Sequence, residues 1–235
     1  MLDALDRGRG QPVEIVERDD GVFFTGGGSY YLDPFPKWGS AERRAFRFVR
    51  GRVLDLGSGG GRVLIHLQNR GFDAVGIERS PLIARISRRR GARNVKVMRT
   101  EEIDPKIGTF DTVVMYGNNF GMLGTVPKTR RLLRKLLSVT TERARVLAGN
   151  SNPYPARTKT QRAYHARNRE RGKLPGTLRI RLRYAQHVTP WFEWLFLSPR
   201  ELEDVVAGTG WHVARVVREK GSSYVAVLEK DSERV

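Results

Sequence analysis

One stretch constrains this chain more than any other: Arg52-Val53-Leu54-Asp55-Leu56-Gly57-Ser58-Gly59-Gly60-Gly61-Arg62. Arg52 to Leu56 is a short, largely apolar run of the kind that makes a buried parallel strand. It stops at Gly57, and Gly57, Gly59, Gly60 and Gly61 make a loop free to take positive φ. Val63, Leu64 and Leu67 then recur at helical spacing. A strand that turns through glycines into a helix leaves backbone N–H groups bare at the helix start. Such a start is an anion site, and a ligand can lie flat against backbone that has no Cβ atoms.

The glycine spacing narrows the choice. A dinucleotide fingerprint needs G-x-G-x-x-G, and its third position here falls on Arg62. The pattern is instead Asp55-x-Gly57-x-Gly59-x-Gly61, with an acid two places before the first glycine. In this the stretch resembles the first motif of class I S-adenosylmethionine-dependent methyltransferases. The alternative is an ordinary glycine turn of an α/β protein. The resemblance implies a Rossmann-like fold: a seven-stranded, mostly parallel sheet with helices on both faces and the last strand antiparallel. It also implies S-adenosyl-L-methionine as cofactor, with S-adenosyl-L-homocysteine as product. Gly57, Ser58, Gly59 and Gly61 are then expected along its methionine and ribose, and Asp55 near its amino group.

The segments downstream keep to that pattern. Asp73 to Glu78 reads as the second strand and ends in an acid. A carboxylate at that tip can accept both ribose hydroxyls, and the resemblance assigns this role to Glu78; a surface ion pair with Arg79 is the other reading. Ser80-Pro81 opens a helix to about Arg90, and Asn94 to Met98 is the third strand. Many family members then carry an aspartate for the adenine amino group. This chain has Arg99-Thr100-Glu101-Glu102 instead, so Thr100 or Glu101 is the candidate there. Phe110 to Tyr116 is the fourth strand. It runs into Gly117-Asn118-Asn119, where the asparagines either contact a ligand or close the turn. We group Arg79, Tyr116 and Asn118 with the cofactor candidates and Asn119 with the acceptor side. Pro127 to Leu137 is an amphipathic helix, and Arg145 to Gly149 the fifth strand.

Before this core, Val13 to Glu17, a turn at Asp19-Asp20-Gly21, and Val22 to Thr25 suggest a small hairpin. Gly26 to Ser29 reads as flexible. Tyr30, Tyr31, Phe35 and Trp38 follow on a proline-broken path, either as a lid over the site or as core. Ser40 is read as the cap of a helix to about Val49. Residues 1–40 are therefore taken as a cap segment and 41–150 as the cofactor core. Residues 151–190 form a basic insertion after the fifth strand, with ten Lys or Arg against one acid, Glu170. In it, Tyr164 to Arg171 reads as a short helix, and Leu178 to Tyr184 alternates as a strand with one cationic face. Residues 191–235 are read as strands completing the sheet, with Trp191 to Leu197 as the sixth.

Composition sets outer limits. The net charge of +18 attracts anions, unless it is only a bias of the host's composition. The absence of cysteine removes disulfides, thiolate metal sites and cysteine nucleophiles. No metal-ligand motif exists, so no metal is expected. No run of eighteen apolar residues and no secretory pattern occurs, so no membrane partner is expected and the cytoplasm is the expected location. Candidate general bases are few: Tyr154, His165 and His187, all in the insertion, with Tyr154 also on the acceptor side beside Tyr30 and Tyr31.

The function expected is methyl transfer to a small metabolite, anionic if the charge is functional. The alternative acceptor is RNA, held by the basic insertion. From another class, the alternatives are a nicotinamide-dependent oxidoreductase or a non-catalytic nucleotide-binding protein.

Overall fold

The computed structural model describes residues 14–26, 30–155 and 158–231. Of the segment Gly26 to Ser29 expected to be flexible, Gly26 instead ends a paired strand, and residues 27–29, like the two chain ends, lie outside the described residues. Strands and helices alternate through the middle of the chain: β3 (Val53–Leu56), α2 (Arg62–Asn69), β4 (Ala74–Glu78), α3 (Pro81–Arg89), β5 (Val95–Val97), β6 (Phe110–Met115), α4 (Val126–Leu137) and β7 (Thr140–Ser151). These strands pair in parallel. The chain closes with α6 (Pro199–Val206) and the hairpin β11 (Trp211–Arg218) and β12 (Ser223–Lys230). The seven-stranded sheet has the order β11-β12-β7-β6-β3-β4-β5, with β12 antiparallel to β7. This is the expected Rossmann-like sheet.

Local chemistry explains the helix boundaries. Ser80 caps α3 by accepting from the Ile83 N–H, Thr125 caps α4 from Lys128, and Ser198 forms a capping box with Glu201. Helix α1 (Ser40–Ala45) is shorter than the sequence suggests. Gly39, not Ser40, takes the cap position, and a 3-10 turn at Phe46–Phe48 follows. Alternation along the buried strands sends side chains to both faces. Leu54, Leu56, Val113 and Met115 pack with α4 and α6 on one side. Val53, Val114, Trp38 and Leu64 pack with α1 and α2 on the other.

A second sheet joins distant parts of the chain. It has the order β10-β8-β1-β2, from β1 (Glu14–Arg18), β2 (Phe23–Gly26), β8 (Thr177–Tyr184) and β10 (Phe192–Leu195), with β9 (His187–Val188) paired to β8. The expected N-terminal hairpin is β1–β2. Its attachment to β8 places Glu17 opposite Arg181, an opposite-charge cross-strand pair that supports this register. Helix α5 (Lys159–Glu170) begins earlier than the sequence reading placed it, with Thr158 as cap.

The strand read from Trp191 to Leu197 exists, but it is not the sixth strand of the main sheet. It pairs with β8 instead, and β11 takes the sixth place. Glycines make this possible. A Cβ at Gly121 would lie 2.0 Å from the Leu195 carbonyl oxygen, and one at Gly124 2.6 Å from that of Glu193. Only bare backbone after β6 lets β10 come this close.

Candidate active site

In an open α/β sheet, ligands bind beyond the carboxyl ends of the strands where the strand order reverses. Here the reversal lies between β3 and β6, and a cavity of about 650 Å³ opens there. Its floor is the loop after β3 and the end of β6; its far wall comes from β8 and β10 of the second sheet.

The glycine loop is shaped by left-handed backbone at Gly57 (φ 74°) and Gly59 (φ 52°). A Cβ at Gly59 would meet nothing nearer than the Gly57 oxygen at 3.8 Å, so that backbone faces open space. Gly57, Ser58 and Gly59 line the cavity, whereas Gly61 does not. Gly61 is needed for packing, since a Cβ there would sit 2.4 Å from the Ser87 hydroxyl on α3. Glu78 reaches back to the loop. Its Oε2 accepts from the Gly59 N–H at 3.1 Å and its Oε1 from the Ser80 N–H at 2.8 Å. Arg79, Thr100 and Glu101 line the rim beside it.

Below the loop lie three buried polar atoms with no partner: Asp55 Oδ2, Ser58 Oγ and the Tyr116 hydroxyl. All three residues line the cavity. Burial pushes the Asp55 carboxyl up to about 7, while the Arg62 guanidinium pulls the other way. Burial also raises the Tyr116 phenol. An orphaned carboxylate oxygen is costly unless a ligand completes it.

Arg62 itself forms the centre of an unexpected cluster. Its guanidinium makes two 2.8 Å bonds to Glu42 and one of 2.9 Å to the Tyr30 hydroxyl. Tyr30 donates in turn to Glu42, and so does the Gly117 N–H at the end of β6. The Tyr30 ring stacks on the guanidinium at 4.4 Å. Glu42 and Arg62 are both buried. The cluster ties the N-terminal segment, α1, α2 and the end of β6 into one wall. Tyr30 and Tyr31 both line the cavity, Tyr31 remaining partly exposed.

The asparagines after β6 separate. Asn119 lines the cavity and donates to the Leu56 and Gly57 carbonyls, at 3.0 and 2.9 Å, clamping the glycine loop. Asn118 lines a separate cavity of about 210 Å³, and its Oδ1 accepts from Ser151. The three base candidates also stand apart from the main cavity. Tyr154 is exposed and donates to Glu201 at 2.6 Å. His165 is buried on α5, its ring 6.5 Å from that of Tyr154, and burial lowers its pKa. His187 is exposed on β9. Among the described residues no group of three or more His, Cys, Asp or Glu is placed to hold a metal ion, and no helix is long and apolar enough to cross a membrane.

Sequence reasoning missed Glu42, which carries no local signal, and Trp191, Phe192, Glu193 and Trp194, all of which line the cavity. Their aromatic density was legible; their place in the fold was not.

A sequence profile of the methyltransferase domain family matches residues 35–215. The chain belongs to the class I S-adenosylmethionine-dependent methyltransferases. An S-adenosylmethionine-dependent methyltransferase from Bacteroides fragilis, solved with S-adenosylhomocysteine, superposes with a TM-score of 0.81 at 22% identity, covering 98% of this chain and 92% of that one. The methyltransferase CcbJ from Streptomyces caelestis gives 0.62 at 16% identity, over 86% and 98%. In sequence, an ATP synthase lysine N-methyltransferase from Caenorhabditis elegans is 30% identical over 84 residues, 34% of this chain. That match spans only 44% of the curated relative.

Proposed function

We propose that this methyltransferase transfers a methyl group from S-adenosyl-L-methionine to a small molecule. When bound, the cofactor supplies an activated methyl on a sulfonium centre. The residues present fit it. Gly57 and Gly59 offer bare backbone for its body. The unpartnered Asp55 Oδ2 suits its ammonium group. Glu78 suits the ribose hydroxyls, with Arg79, Thr100 and Glu101 at the rim for the base. Ser58 and the Tyr116 hydroxyl supply the remaining unpartnered polar positions. Gly61 and Asn118 then support the loop and strand end rather than touch cofactor, because each is engaged elsewhere.

The acceptor's task is alignment: its lone pair must face the methyl carbon with water excluded. Positioning of this kind is worth on the order of 7–11 kcal/mol in well-oriented systems. Tyr30, Tyr31 and the β10 aromatics enclose the volume where that happens. We read the described parts of the segments 1–40 and 151–190 as its cover. Tyr154, His165 and His187 are too removed to serve as bases in this arrangement.

One observation favours a small acceptor over RNA: four of the insertion's ten cations are paired with acids of the protein itself. Arg181 and Arg183 bond Glu17, Arg167 bonds Asp19, and Lys173 bonds Glu193. Those cations tie the second sheet and the segments packed on it to acids of the same chain, which lowers the charge the insertion offers to phosphates. Incubation with methyl-labelled cofactor and separate small-molecule, RNA and protein fractions tests the reading. Label in the small-molecule fraction is expected; label confined to RNA or protein refutes it.

A further inference from the structure

The wall facing the glycine loop has a chemistry of its own. Trp191, Phe192 and Trp194 line it, together with Arg179 and Glu193. The Phe192 and Trp194 rings meet edge to face at 6.2 Å. The Trp191 ring carries two guanidiniums, Arg181 at 4.5 Å and Arg179 at 5.7 Å.

Arg179, Arg181 and Arg183 alternate along β8 and so share a face. Two of them are committed. Arg181 forms two 2.7 Å bonds to Glu17, and Arg183 reaches the same carboxylate. Arg179 differs. Its cross-strand neighbour is Glu193, which would be its natural counter-ion. That carboxylate is held instead by Lys173 at 2.6 Å. Among the described residues no carboxylate forms an ion pair with Arg179. The planar guanidinium thus stands at the cavity wall, beside an indole, with its fork open to an anionic ligand. Arg79, Arg99 and Lys128 also line the cavity, and of its acids Asp55, Glu78 and Glu101 lie on the cofactor side argued above, leaving Glu193, paired with Lys173, as the acid on this wall.

Taking the cavity as the methyl-transfer site argued above, we propose that Arg179 selects the acceptor. It binds the carboxylate of a flat aromatic small molecule whose ring lies against the Trp191 and Trp194 side of the wall. Neutral indoles and phenyl rings supply the stacking surface, and Arg179 supplies the cation of that wall that no carboxylate pairs among the described residues.

The test is calorimetric titration of the full chain, saturated with S-adenosylhomocysteine, using three probes of one shape: 2-naphthoate, 2-naphthamide and 2-naphthylmethylammonium. Naphthoate is expected to bind at least about tenfold tighter than the other two, a difference of about 1.4 kcal/mol. Arg179→Gln should erase that preference while leaving S-adenosylhomocysteine affinity unchanged. Arg183→Gln, which removes a charge outside the cavity, should keep it. Equal binding of the three probes, tighter binding of the ammonium, no binding of any, or a preference that survives Arg179→Gln would each overturn the proposal. Failure of S-adenosylhomocysteine itself to bind would instead remove the functional reading beneath it.

Discussion

Asp55 makes an unusual demand on the cofactor-free protein, and replacing it with asparagine shows how large. Its carboxyl is buried, with one oxygen unpartnered, and its pKa stands near 7 against an ordinary 3.8. Between about pH 4 and 7 the folded state therefore holds a proton that the unfolded chain has released. Stability contributed by this group is full below pH 4, declines as pH rises through that window, and is lost above 7. Three pKa units at 1.36 kcal/mol each put the cost of the ionised form at about 4 kcal/mol. An asparagine side chain is close in shape to the protonated acid and cannot ionise. The Asp55→Asn protein without cofactor should match the wild type in denaturant unfolding at about pH 3, below both pKa values. It should exceed the wild type by up to about 4 kcal/mol at pH 8.

Ligand binding should move the opposite way. An ammonium placed against Asp55 requires the carboxylate, so wild-type affinity for S-adenosylhomocysteine should rise about tenfold per pH unit up to 7 and level off beyond. The variant should bind more weakly at pH 8 and lack that slope. A variant that is less stable than wild type at pH 8, or a wild-type affinity independent of pH between 5.5 and 8, would refute the reasoning.

Other perturbations probe separate parts of the site. Glu78→Ala should weaken S-adenosylhomocysteine binding about tenfold or more, since a bond to a charged group is worth roughly 1.5–3 kcal/mol; unchanged calorimetric affinity would remove the ribose role. Glu42→Ala leaves the Arg62 guanidinium buried without its carboxylate and should cost about 3–5 kcal/mol in chemical unfolding; a loss below 1 kcal/mol would show that the pair is not structurally important. Gly121→Ala forces a methyl against the Leu195 carbonyl and should lower stability by about 1–3 kcal/mol; an unchanged denaturant midpoint would reject the close approach of β10. Binding to bulk tRNA should show little of the steep salt dependence that many phosphate contacts produce, and a steep slope would reopen the RNA reading.

Local signals carried most of the core. Asp55-x-Gly57-x-Gly59-x-Gly61 announced strand, loop and helix because positive φ and apolar periodicity act within a few residues. Ser80-Pro81 marked a helix start for the same reason, and Glu78 stood at a strand tip that spacing alone could locate. The alternation of Trp191 to Leu197 likewise marked a strand. Which sheet would accept it was another matter. A strand pattern says which side chains share a face and nothing about which edge the backbone will pair with. That choice rested on Gly121 and Gly124 leaving room, and on β11–β12 already occupying the main sheet's edge beside β7. The Glu42–Arg62–Tyr30 cluster was equally silent: an ion pair between groups 20 residues apart leaves no periodicity behind. So the sequence by itself determined the glycine loop, the strands and helices of the cofactor core, and the family. Tertiary structure decided what faces that loop, because facing groups are brought together by long-range packing whose geometry no short window of residues contains.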